Sequence, residues 1–376
     1  LLRNTFAEID LRNIAHNVKA VRALLNKNTK IMAVVKADAY GHGMIPVAGA
    51  AIRAGADWLA VAMPEEAQNL RESGFDCPIL VMGKSNGAQK KLAIELGLTN
   101  SVSSQDEIEE FAAMSREIGK PALLHVKVDT GMGRIGVRNL NDFDKMLCVF
   151  REHTNAHFDG IFTHFACSDS QDKSFTMRQD DVFKTYIRRA EEGGFSPMAH
   201  ASSSAAVIDL PEMNYDAIRL GISLYGYYPS EYVKRERLDL KPVMRVVTEI
   251  SHIKKIVAGD TVGYGATYTA SKDTQVATLP IGYGDGYSRL LSNKGRVIVI
   301  VDGHPYYAKV IGRVCMDQIM VDVSGIENVA CKDTVVVMGR AGDKKVDADE
   351  IAAMTGTISY EVLLSYSKRV PRLYVD

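Results

Sequence analysis

The sequence predicts an α/β protein: a (β/α)8 TIM barrel followed by a mostly β C-terminal domain. Three observations carry that expectation. Short apolar runs recur through residues 31–219. Amphipathic helical stretches separate them. Helical periodicity then disappears after about residue 230.

The elements follow in order. Residues 1–9 suit a short strand, and Leu11, Ile14, Val18, Val21 and Leu25 follow at helical spacing. The apolar runs are 31–36 (IMAVVK), 58–62 (WLAVA), 78–82 (PILVM), 100–103 (NSVS), 122–128 (ALLHVKV), 159–164 (DGIFTH), 198–202 (MAHAS) and 216–219 (DAIR). The fourth is the weakest. Ser104 precedes a helical stretch with Glu107 three residues on, the spacing of a capping box. Asn141 and Asp142 stand ahead of the next helical pattern. Eight strand–helix units close a barrel, for which about 220 residues is a normal size. An open doubly wound sheet is the alternative. Beyond residue 230, the runs 243–250, 296–302, 307–314, 319–323 and 334–338 are separated by Gly and Asp turns, and Asp347 is placed to cap a helix near 347–355. The expected division is a barrel over 10–232 and a β-rich domain made of 1–9 plus 233–376.

Composition narrows the function. Of 376 residues, 46% are hydrophobic and 24% charged, with a formal net charge of −1. That balance suits a soluble globular protein and offers no basic face for nucleic acid. No apolar stretch approaches the roughly 20 residues of a membrane helix. The N-terminus lacks a signal-peptide layout, and no initiator Met stands at position 1, so the numbering is expected to begin inside a longer chain. Five cysteines without C-x-x-C spacing read as reduced thiols in the cytoplasm.

Barrel enzymes carry their chemistry at the C-terminal ends of the strands. Those ends hold Lys36, Lys127 with Asp129 and Arg134, His164, Ser202 to Ser204, and Arg219. Lys36 follows a run that should be buried. A desolvated amine favours its neutral form and forms Schiff bases; an ordinary ion pair with Asp38 is the plainer alternative. Ala39 to Gly43 reads as a tight Gly-rich loop. Gly131 to Gly136 matches G-x-G-x-x-G, yet helical pattern starts only after Asn139, so the match does not signify a dinucleotide site. Arg134 within it suits a carboxylate clamp instead. Ser204, Gly221 and Ile222 follow the last two strands, where barrels often bind phosphate. His153 and His157 have no accompanying ligand motif, and no metal is assigned. Tyr264 lies between two glycines in the β-rich part.

Val34-Val35-Lys36-Ala37-Asp38-Ala39-Tyr40-Gly41-His42-Gly43 resembles the pyridoxal phosphate (PLP) attachment signature of bacterial alanine racemases. The resemblance continues through Lys127 to Arg134, Thr163-His164-Phe165, Arg219-Leu220-Gly221-Ile222, Val262 to Gly265, Gly282 to Tyr287, Cys315-Met316-Asp317-Gln318 and Arg369 to Arg372. It implies a cytoplasmic homodimer that interconverts L- and D-alanine by two-base proton transfer on PLP, supplying D-alanine for peptidoglycan. It also implies roles. Lys36 carries PLP and is one base, and Tyr264 is the other. Arg134 and the Met316 backbone hold the substrate carboxylate. Tyr40, Ser204, Gly221, Ile222 and Tyr360 hold the cofactor phosphate. Arg219 contacts the pyridine nitrogen, and His164 links Arg219 to the Tyr264 region. Tyr283 helps form the entry, with Asp317 beside the substrate-binding Met316. Lys127 matches a position often carbamylated in the family. Ser203 departs from the family's usual Asn. His164 and Arg219 are expected to give Tyr264 the cationic field a phenol needs to act as a base. A decarboxylase of basic amino acids on the same plan, a racemase for another amino acid such as serine, and a non-catalytic PLP-carrier barrel are the alternatives.

Overall fold

The computed structural model describes residues 3–376; the first two positions of the expected N-terminal strand lie outside the described residues. The chain divides into two compact units. One comprises Asn13–Ala39 and Met44–Lys241, the other Leu1–Arg12, Tyr40–Gly43 and Pro242–Asp376.

In the first unit a closed barrel is built from Lys30–Val34, Trp58–Val61, Ile79–Val81, Thr99–Val102, Ala122–Lys127, Ala156–Phe162, Met198–His200 and Ala217–Leu220. All neighbours are parallel, and the ring closes where Ile31 pairs with Ile218. These strands are buried on both faces, which is why they read as apolar runs rather than alternating ones. The weak fourth run is a fully buried strand despite its Asn and Ser. Ser101 meets the polar cost by donating to the Val81 carbonyl at 2.7 Å. Outside the sheet, Phe111, Phe143, Phe150 and Phe183 fill the layer between strands and helices. Burying each contributes about 1.5–3 kcal/mol.

Helix starts follow local chemistry with two departures from expectation. Ser104 Oγ accepts from the Glu107 amide at 3.3 Å, but the Glu107 carboxylate accepts from the Ser103 amide, one residue before the cap. The following helix, Leu140–Glu152, begins before the expected Asn141, because Asn139 accepts from the Asp142 amide at 2.8 Å and forms the cap.

The expected Gly-rich loop after Lys36 is instead a helical turn over Lys36–Gly41. Ala37, Asp38, Ala39 and Tyr40 have φ of 51°, 52°, 53° and 53°, so the turn is left-handed. Each such residue costs roughly 1–2 kcal/mol, and successive ones are rare. Asp38 does not pair with Lys36 but accepts from the Met44 amide at 2.7 Å, and Glu66 accepts from the Ala37 amide at 2.6 Å. Ala37 is exposed, so its replacement reports backbone conformation alone. Ala37→Gly should stabilise the chain by about 0.5 kcal/mol, the left-handed penalty less the added unfolded-state entropy. In a right-handed turn the same change would destabilise by about 1 kcal/mol, so the sign of the shift in a denaturant titration decides the handedness.

The second unit is a mixed sheet in the order His252–Ile256, Thr274–Leu279, Ile319–Asp322, His304–Val310, Arg296–Val301, Thr334–Ala341, Met244–Glu249, Phe6–Asp10, Arg372–Val375. Phe6–Asp10 runs antiparallel to Met244–Glu249 and parallel to Arg372–Val375. Asp347 caps the helix Ala348–Thr355 through the Glu350 amide. No described helix is long and apolar enough to cross a membrane.

Candidate active site

In the barrel unit, Lys36, Lys127, His164, His200 and Arg219 all stand at or just beyond strand C-termini, so parallel strand direction alone gathers them at one rim. Burial lowers the Lys36 ammonium below the ordinary lysine range, Arg134 lowers it further by like-charge repulsion, and Glu66 opposes with a smaller pull. The neutral, nucleophilic amine is thereby favoured. Lys127 is pushed down to about 8, first by burial and then by Arg134, Arg219 and Lys36. Its Nζ lies 5.3 Å from the centroid of the Phe162 ring.

Arg134 is exposed on the loop that follows. Asp129 Oδ1 shapes that loop by accepting from the Gly131 and Gly133 amides at 3.0 and 2.9 Å. Gly136 is required there: φ is +142°, and a Cβ would lie 2.4 Å from the Asp129 nitrogen. The next helix starts only at Leu140, so the G-x-G-x-x-G segment presents no helix N-terminus to a dinucleotide.

Arg219 is buried and held by its two Nη atoms. Nη1 donates to His200 Nδ1 at 2.6 Å and to the His200 carbonyl at 3.1 Å. Nη2 donates to the Thr163 and Ala201 carbonyls at 2.7 and 2.8 Å, and to His164 Nδ1 at 3.3 Å. Burial, then Arg134, lowers its pKa to about 9, so it stays charged at neutral pH. His164 is pulled down to about 3 by burial and then by Arg219. It is a neutral acceptor. The expectation that His164 shares in a cationic field is therefore corrected: its imidazole is neutral, and of the two it is Arg219 that carries charge.

Ser204 opens the short helix Ser204–Asp209, and its Oγ accepts from the Gly221 and Ser223 amides at 3.2 and 3.3 Å. Backbone donors thus converge on one buried hydroxyl. Ile222 begins the adjoining turn Ile222–Tyr225 and is buried. Ser203 is extended and makes no side-chain cap.

In the β-rich unit, Tyr40 is buried with its ring centroid 6.0 Å from that of Tyr360, and burial raises its phenol to about 12. Tyr264 sits on the turn Tyr264–Ala266 between Gly263 and Gly265 and is 71% exposed. Tyr283 and Met316 are also exposed. The Met316 carbonyl accepts from the Gly284 amide at 2.9 Å, and a Cβ on Gly282 would lie 2.4 Å from that oxygen. Asp317 pairs with Arg369 at 2.7 Å.

The barrel unit therefore brings together Lys36, Lys127, Arg134, His164, Ser204, Arg219, Gly221 and Ile222; Tyr40, Tyr264, Tyr283, Met316, Asp317 and Tyr360 belong to the β-rich unit. Sequence reasoning passed over His200, although it lies within the seventh apolar run and ends the strand Met198–His200. It quoted Thr163 within a motif without giving it a role, and it passed over His125, a polar residue within an otherwise apolar strand. Among the described residues no cluster of three or more His, Cys, Asp or Glu is placed to hold a metal ion.

Two family profiles cover the chain: "Alanine racemase, N-terminal domain" over residues 9–229 and "Alanine racemase, C-terminal domain" over 243–374. An alanine racemase of Desulforamulus reducens is 44% identical, with 98% of each chain aligned. The crystal structure of alanine racemase from Bacillus anthracis with bound L-Ala-P superposes with a TM-score of 0.91 at 34% identity, covering 100% of this chain and 95% of that one. A histidine racemase from Leuconostoc mesenteroides has a TM-score of 0.90 at 28% identity, covering 100% and 98%.

Proposed function

This chain belongs to the alanine racemase family, and on that premise we propose that it interconverts L- and D-alanine using pyridoxal phosphate and two proton-transferring residues. The observation that carries the reading is the convergence of Lys36, Lys127, Arg134 and Arg219 at one end of the barrel, with a depressed amine at Lys36. Such a site attracts anions and offers a nucleophile to an aldehyde.

The donor set fits pyridoxal phosphate. Lys36 would hold the aldehyde carbon. The Ser204 hydroxyl, on which two backbone amides already converge, would hold the phosphate with the Gly221 and Ile222 amides, Tyr40 and Tyr360. Five contacts to protein fall on the Nη atoms of Arg219 and none on Nε, which leaves Nε–H for the pyridine nitrogen. When bound, the cofactor supplies an electron-withdrawing ring that accepts the electron pair left as the Cα proton departs. Arg219 only donates, so it would leave that nitrogen unprotonated and the withdrawal weak. Prompt return of a proton, as racemisation requires, follows.

Lys36 takes or returns the Cα proton on one face. Tyr264 of the partner subunit does so on the other, in a homodimer whose β-rich domains (1–9 plus 233–376) complete each other's sites. Arg134 and the Met316 backbone orient the substrate carboxylate. Tyr283 and Asp317 line the approach. Carbamylation of Lys127, whose lowered pKa leaves neutral amine to react with carbon dioxide, would place a negative charge beside Arg134. We assign the reaction to the cytoplasm, in keeping with five free thiols, and its product to peptidoglycan synthesis.

Incubating the cofactor-loaded chain with L-alanine in deuterated water tests the proposal. Decay of optical rotation with deuterium entering Cα is expected. Retained L-configuration would refute it. Likeness to a histidine racemase makes L-histidine the informative second substrate; faster turnover of it would reassign the side-chain specificity.

A further inference from the structure

Arg219 is the near end of a longer chain of contacts. Its Nη1–H donates to His200 Nδ1 at 2.6 Å, and His200 Nε2 stands 2.9 Å from His125 Nδ1. Both imidazoles are fully buried. An arginine has no acceptor to offer, so His200 Nδ1 must carry a lone pair and its proton must sit on Nε2. That proton then points at His125 Nδ1, which must accept, and the His125 proton is forced onto Nε2. His125 Nε2 is buried and has no hydrogen-bond partner. A histidine kept only for packing would be expected to satisfy both nitrogens; the unmet N–H is what this one-way chain of donors produces.

The barrel is shaped around that ring. Gly160 faces it, and a Cβ there would lie 2.5 Å from three of its atoms. The strand register shifts between Leu124 and His125, so that His125 pairs with Gly160. Phe162 stacks on His200 at 4.8 Å, and Trp58 lies 5.8 Å from His125. The rings therefore have little room to turn.

We infer that His125 is a positioning residue for the racemase reaction: it holds His200 in the Nε2–H tautomer, and His200 in turn fixes the guanidinium of Arg219 as a pure donor toward the cofactor. Without an acceptor at position 125, the buried His200 Nε2–H is unpaired, the tautomer that leaves Nδ1 free to accept is no longer held, and Arg219 loses its shortest contact. The relay is a property of the barrel; its consequence for turnover rests on the function proposed above.

The test uses the full chain loaded with pyridoxal phosphate. Nitrogen-15 spectra of labelled histidine should show His200 neutral, with Nδ1 unprotonated and Nε2 protonated. A protonated Nδ1 or an imidazolium would overturn the inference without any variant being made. His125→Phe keeps a ring but no acceptor, and should lower kcat about tenfold with KM little changed, the loss typical of one unpaired buried donor. His125→Gln offers a carbonyl acceptor and should restore most of that loss and the native His200 signal. Equal impairment of the two variants, or a His125→Phe enzyme with native kcat and tautomer, would overturn it. Native turnover of alanine is measured alongside: its absence would sink the racemase reading while leaving the tautomer result standing.

Discussion

Lys36→Ala should reduce alanine racemisation by roughly 10⁴-fold or more. A positioned general base contributes about 10²–10⁴-fold, and the same side chain also holds the cofactor in register, which adds an orientation term. Lys36→Arg should fail as badly although it preserves charge, because a guanidinium stays protonated and cannot act as a neutral nucleophile. The fold should not suffer. The Lys36 ammonium is opposed by burial and by Arg134, so its removal relieves an unfavourable charge, and the thermal midpoint of the cofactor-free chain should hold or rise. Loss of activity with a lowered midpoint would instead indicate misfolding. The measurement is exchange of the alanine Cα proton for deuterium, with and without added methylamine. A small amine supplied from solution should recover part of the exchange in Lys36→Ala and none in Lys36→Arg, whose bulk fills the space. A Lys36→Ala enzyme within tenfold of native turnover would remove Lys36 from the proton transfer.

Much of this site is written along the chain because a parallel barrel converts strand ends into a common rim. Lys36, Lys127, His164 and Arg219 were each visible as polar residues closing an apolar run. The left-handed turn at residues 37–40 was not visible. Its signature is φ, and the residues that adopt it include two alanines, whose propensity is for right-handed helix. Only closely placed partners such as Glu66, 29 positions from Ala37, hold such a turn, and no local pattern reports them. The protonation state of His164 was missed for the same reason. A histidine beside Arg219 reads as a cationic neighbourhood in sequence, whereas burial decides the charge. The pairing of His125 with His200 joins positions 75 apart and depends on a register shift that apolar periodicity does not encode. The start of the helix at Leu140 turned on a different ambiguity. Asn139, Asn141 and Asp142 all suit a cap, and only the backbone path chooses among them.

Acidification from pH 7.5 to 5.5 should cost the folded chain about 4 kcal/mol, an effect that comes from three buried histidines. Burial, with Arg219 second, lowers His125 and His164 to about 3 and His200 well below its ordinary value. In the unfolded chain each titrates near 6.5. Between those limits the unfolded state binds protons that the folded state refuses, so stability rises with pH across the window and is lost as pH falls below about 6.5. From one pH unit above 6.5 to one below, each proton refused by the folded state costs about a factor of ten in the folding equilibrium, and three together cost about 4 kcal/mol. The carboxylates held low against burial, Asp57 by the Ile31 amide and then Arg22, and Asp285 by Arg3, stay ionised in both states here and act only at lower pH. Guanidinium titrations at the two pH values check the result, and His164→Gln should remove about a third of the slope. A stability that is flat, or that increases on acidification, would mean that these imidazoles accept protons in the folded state. That outcome would also undo the donor-to-acceptor order around Arg219, because an imidazolium facing a guanidinium has no lone pair to offer it.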